Sequence, residues 1–151
     1  MRTTLIRFSA ASYLMAINAT GTMAHGYKQK AIEIVHPWTF DKPEPGGRDA
    51  IVGMEIKNSA AKPDRLVSAS SAIAQRVEIR NASAGPNNSS KAIEVGPGGK
   101  IDLGAKGAHL RLIRLKKALT AYDTLPVTLV FEGAGKIRID VLVEEYIEPK
   151  N

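Results

Sequence analysis

The stretch VTLVFEGAGKIRIDVLV, Val127 to Val143, decides the fold. Val127, Leu129 and Phe131 occupy alternate positions, Gly133-Ala134-Gly135 interrupts them, and Ile137, Ile139, Val141 and Val143 take the alternation up again. A period of two places every second side chain on one face of an extended strand, so each half reads as a strand with one buried face. The glycines between them supply the backbone freedom of a tight reversal, and the whole reads as a β-hairpin.

The same alternation runs outward from this hairpin. Ile32 and Ile34 carry it in AIEIV, Val52, Met54 and Ile56 in IVGMEIK, and Val77 and Ile79 in RVEIR. Ile93 and Val95, then Ile101 and Leu103, flank Gly96-Pro97-Gly98-Gly99, which predicts a further hairpin. The segment PWTFDKPEPGGRD, Pro37 to Asp49, is rich in proline and glycine and predicts a long surface loop. One helical turn at most is predicted, near Ser71 to Gln75, and the polar tail after Glu144 is predicted to fray. Roughly seven to nine short strands without a long helix point to a single all-β domain, an antiparallel sandwich or Greek-key barrel.

The amino-terminal segment has a different character. Arg2 and Arg7 precede the apolar run FSAASYLMAI, Phe8 to Ile17, and Thr22-Met23-Ala24 forms a small-residue site before His25. That layout reads as a secretory signal peptide over residues 1–24, leaving a domain over residues 25–151. The apolar run falls short of the ~20 residues that span a bilayer, and no later run is longer, so no membrane span is predicted. The expected location is the periplasm.

The formal net charge of +6 falls to +4 once Arg2 and Arg7 are set aside. These charges lie singly among strands rather than in a stripe, which speaks against a nucleic-acid partner. The chain has no cysteine, so thiolate catalysis, cysteine-ligated zinc and disulfides are excluded. No phosphate-cradling glycine loop, nucleophile elbow or carboxylate pair appears, and an enzyme is not expected. The candidate metal ligands are the histidines His25, His36 and His109; of the methionines only Met54 lies beyond the signal segment, and its alternating apolar neighbours make it a core residue.

Together with the signal peptide, the phrases IVHPW (Ile34 to Trp38), PDRLVSASS (Pro63 to Ser71), AQRVEIR (Ala74 to Arg80), VGPGGKIDL (Val95 to Leu103) and GAHLRLIRLKKAL (Gly107 to Leu119) resemble the periplasmic copper chaperone family called PCuAC. The resemblance runs in order from about His25 to Val143. It implies a cupredoxin-like β-sandwich, Cu(I) binding by two histidines and two methionines, and a role in supplying the copper centre of cytochrome c oxidase. Thioether and imidazole donors suit that soft ion.

Carried over position by position, the second family histidine matches His109, and the methionine two residues on matches Arg111. The first histidine matches Arg80, and the methionine-bearing hairpin corresponds to the methionine-free, shorter NASAGPNNSSK, Asn81 to Lys91. A guanidinium offers no lone pair to a metal. Two arginines near a bound cation would each repel it by about 4 kcal/mol at 4 Å in an effective dielectric near 20.

Two functional expectations stand side by side. In the first, an exported copper-chaperone-like protein has a degenerate or rearranged metal site using His109, and His25 whose imidazole and free amine would chelate Cu(II) at a new amino terminus. Its partners would be a copper-receiving oxidase assembly protein or another copper chaperone, and it would act as a monomer. In the second, a metal-free binding module presents Arg80, Lys91 and Arg111 to an anion or an acidic partner protein. His36, ahead of Pro37, is expected to hold its segment by a hydrogen bond.

Overall fold

The computed structural model describes residues 26–44, 47–81 and 91–149. The signal-peptide reading of residues 1–24 and the ligand reading of His25 lie outside them. Ten strands form: β1 (Gly26–Gln29), β2 (Ile32–Phe40), β3 (Ala50–Asn58), β4 (Asp64–Ser70), β5 (Ala74–Asn81), β6 (Ile93–Val95), β7 (Lys100–Leu103), β8 (Ala108–Leu115), β9 (Thr124–Phe131) and β10 (Gly135–Glu144). Among the described residues there is no helix.

The strands hydrogen-bond in the order β5-β8-β3-β2-β10-β9-β4-β6, with β1 added to β2 and β7 to β3. The pairs are antiparallel except β2 with β10, which run parallel through Trp38↔Leu142, Thr39↔Val143 and Phe40↔Glu144. β4 and β5 stand far apart in this order, yet only residues 71–73 join them. The sheet must therefore curl until its two ends meet, and the curl encloses the core. Ile32, Ile34, Val52, Ile56, Leu66, Leu110, Leu112, Leu125, Val127, Leu129, Phe131, Ile139, Val141 and Val143 fill it, each no more than 2% exposed. Met54 joins them as expected.

The opening hairpin forms as read. β9 and β10 pair from Gly135↔Phe131 to Leu142↔Thr124, and the residues that alternate in sequence are the buried ones. Its turn is latched from another strand: Asp64 accepts hydrogen bonds from the N–H groups of Gly133 (2.7 Å), Ala134 (2.8 Å) and Arg65 (2.7 Å). A carboxylate collecting three main-chain donors contributes more than a neutral acceptor does. Asp64→Ala is expected to cost about 2 kcal/mol, checked by urea denaturation; a loss below about 0.5 kcal/mol would show that water replaces the latch.

Three expectations need correction. Pro37 to Asp49 is not all loop, because β2 runs on to Phe40, with Pro37 and Thr39 buried and Thr39 Oγ1 donating to the Ile51 carbonyl at 2.8 Å. The cause is a bulge: the register of β2 against β3 shifts between Val35 and Trp38, and His36 takes a positive φ of 47°. One inserted residue moves the buried set from even to odd positions, and a proline, which has no N–H to give, is tolerated there.

The turn Gly96 to Gly99 forms, with Gly99 N–H bonded to Gly96 O (3.1 Å) and Gly98 at φ 62°. It is not a hairpin, because β6 pairs with β4 whereas β7 pairs with β3. The chain uses it as a corner between distant parts of the sheet. Near Ser71 to Gln75 a single turn at Ala72 and Ile73, no more than was expected there, leads straight into β5. The tail after Glu144 is held: the Tyr146 ring meets Phe40 edge-on at 5.5 Å, and its N–H donates to Asp41.

Candidate metal-binding face

β5 and β8 build the face on which three of the candidate residues meet. Their antiparallel register sets Arg80 opposite His109, Glu78 opposite Arg111 and Arg76 opposite Ile113. Ile79, Leu110 and Leu112, at the intervening positions, are buried in the core, so the polar members point away from it. The chain enters β8 through a tight link from β7, in which Gly107 N–H bonds to Gly104 O (3.0 Å) and Gly104 N–H to Ala108 O (2.8 Å).

His109 is half-buried, and its Nδ1 lies 3.0 Å from the Gly107 carbonyl. A carbonyl only accepts, so Nδ1 carries the proton and the lone pair of the neutral ring sits on Nε2. Metal-binding histidines are commonly oriented by this kind of bond from the other ring nitrogen.

Both arginines are engaged with carboxylates. Arg111 grips Asp49 Oδ2 with Nη2 (3.1 Å) and Nε (3.2 Å), and Asp49 Oδ1 accepts the Arg114 N–H at 2.9 Å. Arg80 pairs through Nη2 with Glu78, whose other oxygen takes Arg76 Nε at 2.7 Å. The hydrogen bond from Arg76, and then that from Arg80, holds the Glu78 carboxyl below its ordinary range, against the opposing effect of burial. Three guanidiniums face two carboxylates, which removes most of the cation repulsion expected from bare arginines. Among the described residues, Arg80 Nε is buried with no hydrogen-bond partner.

The other candidates lie elsewhere. Lys91 is exposed, two residues ahead of β6, whose partner is β4 rather than β5 or β8. His36 stands exposed on its bulge with Nε2 2.9 Å from Glu144 Oε1, so it ties β2 to the end of β10, a hydrogen-bonding role of the kind expected. It lines a shallow cavity of about 340 Å³ with Trp38, Glu55 and Asp102. No group of three or more His, Cys, Asp or Glu side chains is placed to hold a metal among the described residues.

The sequence reading missed Asp49, Glu78 and Trp38. Asp49 was assigned to a loop, and Glu78 appeared only as a polar position in RVEIR, yet a carboxylate two residues from Arg80 on the same strand face is a legible signal. Trp38 is paired with Gly53 of β3, and a Cβ on Gly53 would stand 2.5 Å from the indole carbons Cε2 and Cζ2. The indole thus covers bare backbone one residue beyond Val52, the partner of Leu110 beside His109.

A curled all-β domain with this polar ladder on its β5–β8 end is a cupredoxin-like β-sandwich. The LpqE-like lipoprotein family model matches residues 32–143, and the chain belongs to that family, whose solved neighbours are PCuAC domains. It is 33% identical to the copper-bound PCuAC domain from PmoF2, with 81% of this chain and 99% of that one covered and a TM-score of 0.72. The apo PCuAC domain from PmoF1 is 29% identical, covers 81% of this chain and 100% of its own, and has a TM-score of 0.75. The Cu(I) form of DR1885 from Deinococcus radiodurans, 21% identical over 86% of this chain and 87% of that one with a TM-score of 0.63, shares the fold. A search of the curated proteins finds no match.

Proposed function

We propose that this protein is an exported, copper-chaperone-like PCuAC-type domain with a rearranged metal site, in which His109 is the retained copper ligand. The observation that carries this reading is the His109 ring, oriented by Gly107 through Nδ1, with no hydrogen-bond partner at Nε2 among the described residues. Export is supported by the signal-peptide pattern of residues 1–24 and by the lipoprotein description of the family. No helix among the described residues is long and apolar enough to cross a membrane.

The residues of the face do not fit a four-ligand His/Met site. Arg80 and Arg111 stand where two donors belong and are committed to Glu78 and Asp49. Copper, as cargo, therefore needs donors from outside this face. The amino terminus created by cleavage after Ala24 would supply them, with the His25 imidazole and its free amine favouring Cu(II) over Cu(I). The recipient is a copper-receiving oxidase assembly protein or a second copper chaperone.

Competition titrations with Cu(I) and Cu(II) chelators on the secreted protein, its amino terminus identified by mass spectrometry, test this reading. One copper per chain is expected, with His109→Ala and His25→Ala each weakening it at least about tenfold, the loss of one ligand. Binding no tighter than that of a weak chelator would overturn it.

A second reading, metal-free capture of an anion by Arg80 and Arg111 with Lys91 standing apart from them, draws support from the unsatisfied Arg80 Nε. The two carboxylates already bound to those arginines weigh against it.

A further inference from the structure

Three cations with no carboxylate within ion-pair distance among the described residues gather one corner away from this face. Arg114, at φ 51°, precedes the last residue of β8, Leu115, whose N–H bonds to Arg48 O at 2.7 Å. Lys116 is fixed by its N–H to Ile73 O (2.8 Å) and its Nζ to Ala72 O (2.9 Å). These bonds bring Arg48, Lys116 and Lys117 together around a cavity of about 230 Å³ with Pro43, Leu115 and Ala118 as its apolar lining.

Charge distinguishes this cavity from its neighbours. Where Lys57 and Lys100 line a cavity, Glu33 lines it too, and Asp64 stands beside Lys30 and Lys62 in another. Here there is no acidic lining residue, and none of the three cations has a carboxylate within ion-pair distance among the described residues. Asp49, the adjacent carboxylate, is already taken by Arg111 and the Arg114 N–H.

We infer that this cavity is a docking site for an acidic segment of a partner protein, seating a glutamate or aspartate side chain. The volume is below that of an ordinary small-molecule pocket, roughly 300 to 1,000 Å³, and suits one inserted side chain. The apolar lining receives the methylenes while arginine and two lysines take the carboxylate, with arginine able to do so through two parallel bonds. Three uncompensated cations at one spot also draw in an acidic surface from a distance. The site is separate from the β5–β8 face and does not depend on copper being bound there.

A fluorescently labelled hexaglutamate peptide titrated into the purified protein at low salt is the probe. Anisotropy should report binding that Arg48→Glu with Lys117→Glu weakens at least about thirtyfold, and that 0.5 M salt abolishes. Lys136→Glu with Arg138→Glu, on the exposed face of β10, should change it less than about threefold. If the reversed pair does not fold, Arg48→Gln with Lys117→Gln should still weaken binding about fivefold. Equal weakening by the β10 pair, displacement by an equal concentration of inorganic phosphate, or binding to phosphatidylglycerol vesicles without binding to the peptide would overturn the inference.

Discussion

Gly53→Ala is expected to lower the stability of the domain by about 3 kcal/mol, the upper range for overpacking a core. The new methyl group would lie 2.5 Å from two carbons of the Trp38 indole and 2.7 Å from the Leu103 carbonyl oxygen. Neither yields easily: Leu103 is held in β7 against Met54, and the indole packs on Phe40 with ring centres 5.0 Å apart. Gly53 has an ordinary negative φ, so alanine adopts its backbone without strain and strand propensity alone would favour the change by about 0.5–1 kcal/mol. The sign of the measured effect therefore separates the two contributions. A melting point about 10 °C lower is expected. In a Trp38→Ala background the penalty should shrink to the part set by the Leu103 carbonyl oxygen. An equal penalty in both backgrounds would show that the indole is not the obstacle.

Asn58→Asp should cost about 4 kcal/mol at pH 7, although it replaces one atom. Asn58 is 2% exposed and fully used: Nδ2 donates to Lys62 O (2.9 Å) and Val95 O (3.1 Å), and Oδ1 accepts the Ala60 N–H (2.9 Å). It joins the end of β3 to the following loop and to the end of β6. An ionised aspartate keeps the bond to Ala60 but turns a buried negative charge toward two carbonyl oxygens. Protonation restores one donor, so the folded state holds the proton more tightly than the unfolded chain, whose aspartate titrates near about 3.9. Because the folded state binds more protons, stability falls as pH rises through that unfolded value and on to the folded one. Urea denaturation of the variant and the parent at pH 4 and pH 7 should show a gap wider by about 2 kcal/mol at pH 7. The same gap at both values would mean that the carboxylate escapes to solvent.

The sequence disclosed strands better than it disclosed neighbours. The alternation of Val127 to Val143 appears unchanged as β9 and β10, because both strands bury one face against a single core. β2 was legible only to Val35, since the residue inserted at His36 reverses the phase and makes buried Pro37 and Thr39 look like loop. Glycines at 96, 98 and 99 announce a reversal of direction, but a turn does not say which strands pair, and here its two arms join different partners. β1 and β4 escaped notice because one is four mostly exposed residues and the other mostly polar.

The candidate face shows the same division. Arg80, His109 and Arg111 were singled out by resemblance, and the β5–β8 register brings them together. Their carboxylates were not anticipated: Asp49 is remote in sequence from Arg111, and such a contact is visible only once the chain has folded.

The parallel pairing of β2 with β10 also sets a time. It joins Trp38 to Leu142 and Phe40 to Glu144, so the strand nearest the start of the sheet waits for almost the last residues of the domain. Closing so long a loop demands entropy that local contacts cannot return, and topologies of this kind fold slowly. A polypeptide threaded through a pore amino end first could not complete its sheet before the carboxyl end had passed. A chain that emerges amino end first thus stays slack along this seam until its last strand is free.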